Sequence, residues 1–175
     1  MNTKALVAEF IGTFALIFIG AGAGAVSGNI VAVGLAHGLV IVAFAYGYGH
    51  ISGVHINPAV TIGLLAGGPI KGNDAIGYIV VQLLGGIVGA FALLAVLGDG
   101  TSLGATQLAD GVSAWQGLLL ETILTFFLVN TIYNTAVSGK AGAMAPIAIG
   151  VTLAFSIFMG GNVTGASLNP ARTLG

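Results

Sequence analysis

Residues 112 positions apart match along most of this chain, and that spacing limits the possible folds more than any other feature. Asn57-Pro58-Ala59 returns as Asn169-Pro170-Ala171, and Glu9 returns as Glu121, each pair 112 apart. Thr13 and Thr125, Phe14 and Phe126, Gly38 and Gly150, Gly53 and Gly165, and Thr61 and Thr173 keep the same offset without a gap. Self-similarity at a fixed spacing marks a duplicated structural unit. Residues 1–112 form the first unit and 113–175 an incomplete second, together one domain over 1–175.

The solvent for these units follows from charge. Only 5% of the residues are charged, against about 25% in a soluble domain, so most of the surface must face lipid. Five apolar stretches are near the roughly 20 residues that a bilayer core requires: Ala5–Val26, Ile30–Gly49, Asp74–Leu97, Ala114–Val137 and Ala143–Gly160. The first has no A-x-A-like end and reads as a retained helix rather than a signal peptide. Thirty glycines suit helices that approach closely in lipid. The expected class is all-α, membrane-spanning.

A sixth apolar stretch, Asn57–Gly67, is too short to cross. As a helix it would rise roughly 16 Å, about half of a ~30 Å core. Asn is a strong N-cap and Pro suits the first helical position. Both Asn-Pro-Ala motifs therefore read as loops that end by starting a half-helix, the first over 57–67 and the second over 169–175. Gly67-Gly68-Pro69 stops the first.

Three spans separate Glu9 from Glu121, an odd number, so the second unit enters the membrane upside down. Inverted repeats with broken helices place a site near the midplane. One half-helix dips in from each side, and their N-termini meet. The third span should recur near residues 186–209. The sequence thus reads as C-terminally truncated within the second half-helix, with six spans expected in the complete protein; the alternative is a five-span protein with an exposed stub.

Lys4, Lys71 and Lys140 fall on one side of the membrane, Asp99 and Asp110 on the other. The positive-inside rule puts the lysines, and the N-terminus, in the cytoplasm. A formal charge of −1 excludes a basic nucleic-acid footprint. The absence of cysteine excludes disulfides, thiolate metal sites and Cys nucleophiles. His37, His50 and His55 lack an H-E-x-x-H spacing. No phosphate loop and no Ser-His-Asp set at one depth is present, so neither an enzyme nor a cofactor is expected.

These motifs resemble the aquaporin, or major intrinsic protein, family over all 175 positions. The marks are the two Asn-Pro-Ala motifs, the Glu in spans one and four, Gly49-His50-Ile51-Ser52-Gly53 before the first motif, and Arg172 after the second. The resemblance implies an aquaporin-like inverted repeat, a homotetramer in the cell (inner or plasma) membrane, and one pore per subunit. The permeants would be water and other small neutral solutes such as ammonia or hydrogen peroxide. It places a selectivity filter at His37, Ile157, Ala166 (through its carbonyl) and Arg172. That set looks like plant tonoplast-type members. Thr173 stands where glycerol facilitators usually carry Asp, which argues against glycerol.

In such a pore Asn57 and Asn169 would aim amide N–H groups at passing molecules; a plain N-cap is the alternative for Asn57. Pro58, Ala59, Pro170 and Ala171 read as structural. Backbone carbonyls of Gly53, Val54, His55, Gly165, Ala166 and Ser167 are candidate acceptors if the loops run extended. Glu9 and Glu121 are either proton relays or, as the resemblance implies, braces for the loops, with His50 and His55 beside the first. Arg172, the single arginine, is a pore donor or a snorkelling surface charge, and His37 a filter residue or a packed core histidine. Tyr46, Tyr48 and Trp115 read as interface anchors or packing. A small-polyol facilitator and an inverted-repeat coupled transporter are the competing functions.

Overall fold

The computed structural model describes residues 2–175 and is helical throughout its regular structure. Five helices are long and apolar enough to cross a membrane: α1 (Thr3–Ser27), α2 (Ile30–Ser52), α4 (Gly72–Leu97), α5 (Ala114–Val137) and α6 (Gly142–Thr164). Two short helices complete the chain, α3 (Pro58–Gly67) and α7 (Pro170–Leu174). All five expected spans are present. The largest boundary changes are at the C-terminal ends of α2 and α6, which run on to Ser52 and Thr164. Glycines inside a membrane helix do not end it. Gly53 and Gly165 do, because each takes a left-handed conformation, at φ +82° and +85°, that caps the last turn.

Side-chain caps set the helix starts. Asn29 Oδ1 accepts from Val31 N and Ala32 N, and a reciprocal Ser113–Gln116 box opens α5. Two spans are not uniformly α-helical. Leu16–Ala21 in α1 and Tyr133–Val137 in α5 are π-helical, a wider turn that recurs at functional sites. The loop Gly98–Ser113, between the two units, lies partly against the bundle: Ala109 N donates to Val163 O at 2.9 Å.

Where lipid replaces water, helices associate through close packing and hydrogen bonds rather than the hydrophobic effect. One close approach joins the two units. A methyl placed on Gly38 of α2 would sit 2.5 Å from the Gly150 carbonyl oxygen of α6, and one on Gly150 would sit 2.5 Å from that of Gly38. The two residues are 112 apart, so a repeated residue meets its own counterpart. Large apolar side chains such as Leu39, Phe91 and Trp115 face outward, as expected of a lipid-facing surface. The inner cluster is built from α1, α2, α3, α5 and α6, with Ile56 and Leu168 from the two loops plugged into it.

Candidate functional site

Each loop is tied down by the acid of its own unit. Glu9 Oε1 accepts from Ser52 Oγ at 2.7 Å and His55 N at 2.9 Å. Its Oε2 accepts from Ile56 N at 2.6 Å and Gln82 Nε2 at 2.8 Å. Glu121 repeats this. Oε1 accepts from Thr164 Oγ1 at 2.6 Å and Ser167 N at 3.0 Å, and Oε2 from Leu168 N at 2.8 Å. Every Glu121 partner is the residue 112 beyond a Glu9 partner. Ser52 and Thr164 also accept from Val54 N and Ala166 N, at 3.0 and 3.1 Å.

The loops do not run extended, which was the condition for reading their carbonyls as acceptors. Val54 and Ile56 have φ of +51° and +40°, Ala166 and Leu168 of +43° and +50°. A non-glycine residue held there costs about 1–3 kcal/mol. Hydrogen bonds to a charged group are worth about 1.5–3 kcal/mol each, so the four at Glu9 outweigh two strained residues. The curl brings consecutive N–H groups, 55 with 56 and 167 with 168, onto one carboxylate.

The curl also brings the two motifs together. Asn57 Nδ2 donates to Leu168 O at 2.8 Å, and Asn169 Nδ2 donates to Ile56 O at 3.0 Å. Their Oδ1 atoms cap the helices behind them: Asn57 accepts from Ala59 N at 2.8 Å and Asn169 from Ala171 N at 3.0 Å. Each amide thus spends its oxygen on its own half-helix and one hydrogen on the opposite loop. The second hydrogen remains, and both asparagines line a cavity of about 400 Å³. Pro58 and Ala171 are buried, Ala59 half-buried and Pro170 exposed, consistent with structural roles.

The cavity runs from Gly53, Ala136 and Pro146 at one end to His37 and Arg172 at the other, between walls that include Leu16, Ile149 and Leu153. Gly53, Val54, His55 and Ser167 line it; Gly165 and Ala166 do not. No carboxylate is among the described residues that line it. His37 Nδ1 lies 2.9 Å from Val33 O. A carbonyl only accepts, so Nδ1 carries the hydrogen and Nε2 is left to accept. It accepts from Arg172 Nε at 3.0 Å. Arg172 is 8% exposed, so it does not snorkel, and its Nη1 is buried with no partner in the protein. Of the four expected filter positions, His37 and Arg172 meet. Ile157 and Ala166, at 1% and 0% exposure, are part of the packed core behind the cavity wall.

His50 does not take its expected place among the loop braces. Because α2 continues to Ser52, His50 stays exposed on its last turn, and among the described residues the loop's hydrogen bonds go elsewhere. The braces that sequence reasoning missed are Ser52, Thr164 and Gln82. Gln82 Nε2 reaches both Glu9 Oε2 and Thr61 Oγ1 (2.9 Å), and Thr61 Oγ1 lies 3.1 Å from His55 Nδ1. The His55 ring stands edge-on to Tyr78, 5.1 Å away. A signal existed for two of these: Ser52 and Thr164 are hydroxyl residues at the repeat offset. For Gln82 it was only a polar side chain in the middle of an apolar span.

A family model described as major intrinsic protein matches residues 1–175. Aquaporin AqpM of Methanothermobacter marburgensis is 44% identical, over 99% of this chain and 82% of its own length. Aquaporin TIP1-2 of Zea mays is 44% identical, over 99% of this chain and 74% of its own. The solved structure of the aquaglyceroporin from Plasmodium falciparum superposes with a TM-score of 0.85 at 26% identity, covering 99% of this chain and 79% of its own. With two inverted Asn-Pro-Ala half-helices joined tip to tip inside a bundle of apolar spans, the chain belongs to the major intrinsic protein family.

Proposed function

We propose that this protein is a passive membrane channel for water and other small neutral solutes. The observation that carries the reading is the pair of asparagine amides. Asn57 is fixed by three bonding partners and Asn169 by two, and each keeps one N–H free where it lines the cavity. A water between them gives its oxygen to both amides and turns its hydrogens away. The chain of hydrogen bonds along which a proton would hop is interrupted there. The positive end of the α3 dipole and the Arg172 guanidinium add a barrier to cations.

The absence of a carboxylate from the described cavity lining favours passive flow over ion-coupled transport. Glu9 is saturated by four donors and is 0% exposed, which supports a bracing role rather than a proton relay. A small-polyol facilitator is the second reading, favoured by the likeness to an aquaglyceroporin. We also infer a homotetramer with the lysine-bearing side in the cytoplasm of a cell membrane. The outward-facing apolar side chains and the placement of Lys4, Lys71 and Lys140 support this.

Stopped-flow swelling of proteoliposomes tests the channel. Water flux well above that of empty liposomes, insensitive to mercurials, with no accompanying proton current, is the expected result. Flux equal to that of empty liposomes overturns the reading. Glycerol flux as fast as water flux would replace it with the polyol reading.

A further inference from the structure

We propose that Gly20, in the π-helical segment of α1, is a positioning residue that sets the width of the constriction by seating the His37 ring. This rests on the channel reading above. Gly20 belongs neither to the Asn-Pro-Ala motifs nor to the four filter positions, and it does not line the cavity. It acts through His37.

A methyl on Gly20 would lie 2.6 Å from His37 Cδ2 and Nε2 and 2.7 Å from Cε1. Carbon atoms in ordinary contact stay about 3.5–4.0 Å apart. The ring therefore occupies the space that any side chain at position 20 would need. The ring is held at Nδ1 by Val33 O at 2.9 Å, and at Nε2, the nitrogen the methyl would crowd, by Arg172 Nε at 3.0 Å. It is 1% exposed, and it lines the cavity. A ring pushed off Gly20 shifts into that cavity and disturbs the bond to Arg172. Passage of a water molecule requires a radius of about 1.4 Å, so a shift of about 1 Å is enough to matter.

The repeat gives independent support. Position 20 has Ile132 as its counterpart, His37 has Ile149, and Arg172 has Val60. The three residues that touch in series at this end of the cavity all depart from the duplicated pattern. The π-helical turns are also out of register: Leu16–Ala21 corresponds to 128–133, whereas the π-helical turn of α5 is Tyr133–Val137. Along α1 the row Gly12, Leu16, Gly20 faces inward. Gly12 makes room for Ile56, Leu16 lines the cavity and Gly20 makes room for His37.

The test is a mutant cycle in proteoliposomes: wild type, Gly20→Ala, His37→Ala and the double variant, compared by water permeability per reconstituted copy. Gly20→Ala is expected to lower permeability about tenfold. In the His37→Ala background the added methyl meets no ring, so the double variant should match His37→Ala within about twofold. A wild-type rate for Gly20→Ala, or an equal fall in both backgrounds, overturns the proposal. Loss of conduction in His37→Ala itself also overturns it, because the presence of the ring rather than its position would then be what matters. Should Gly20→Ala fail to fold, the same cycle is read on the yield of monodisperse protein in detergent. Rescue by His37→Ala supports the proposal, and no rescue overturns it. A wild type that conducts no better than empty liposomes removes the channel reading itself, a result visible before any variant is compared.

Discussion

Two parts of the cavity lining stand at equivalent places in the repeat and carry opposite chemistry. In one, His37 and Arg172 are joined by a hydrogen bond beside Gly20. In the other, the equivalent positions hold Ile149, Val60 and Ile132, all of which line the cavity and pack into the apolar cluster. Most of the holding framework is duplicated: the acid on its loop, the hydroxyl beside it, the glycine cap, the capping asparagine, and the Gly38–Gly150 contact. Residues that hold backbone in place repeat, because both units have the same loop to hold. Asn57 and Asn169 repeat as well, whereas His37, Arg172 and Gly20 do not.

The largest effect is expected from breaking the duplicated part. Glu9→Ala leaves the N–H groups of His55 and Ile56 without their carboxylate and the strain at Val54 and Ile56 uncompensated. An unsatisfied buried group costs about 1–3 kcal/mol, so the loss should exceed about 4 kcal/mol and appear as a collapse of thermal stability in detergent. Wild-type stability for this variant would mean that the acids are not what the repeat preserves. Next in size, Arg172→Val gives this position the residue that its repeat counterpart, Val60, carries. Cation leak into dye-loaded vesicles should rise about tenfold or more with water flux retained. An unchanged leak would show that the paired asparagines exclude ions unaided. The smallest effect sharpens the boundary of the braced region: His50→Ala should change stability by less than about 0.5 kcal/mol and leave water flux unchanged. A large loss would restore His50 to the loop.

Much of this was legible in one sequence. Span length is imposed by bilayer thickness, so hydropathy alone located the five spans. The offset of 112 placed both asparagines at one depth, and the family resemblance pointed to the two acids as loop braces. The curl of the loops was hidden, because Val54 and Ile56 are β-branched and favour extended backbone; only the carboxylate, 47 residues away in sequence at Ile56, overrides that preference. Gln82 was hidden because its partners come from two other segments. The π-helical turn was hidden because Leu16–Ala21 has the same apolar composition as the helix around it. His50 was misread because Gly49 looked like a helix end in a chain where lipid tolerates glycine mid-helix.

The crossed amide bonds bear on how such a protein comes into being. A first half synthesised alone would hold Asn57 Nδ2 and the Ile56 carbonyl at hydrocarbon depth with nothing to bond, since their partners are Leu168 and Asn169. Its re-entrant segment gains its last two bonds only when the second half arrives. During biosynthesis the conduit is therefore a late event, closed in one step from both leaflets. An ancestral single unit would have satisfied the same two atoms only by facing another copy of itself.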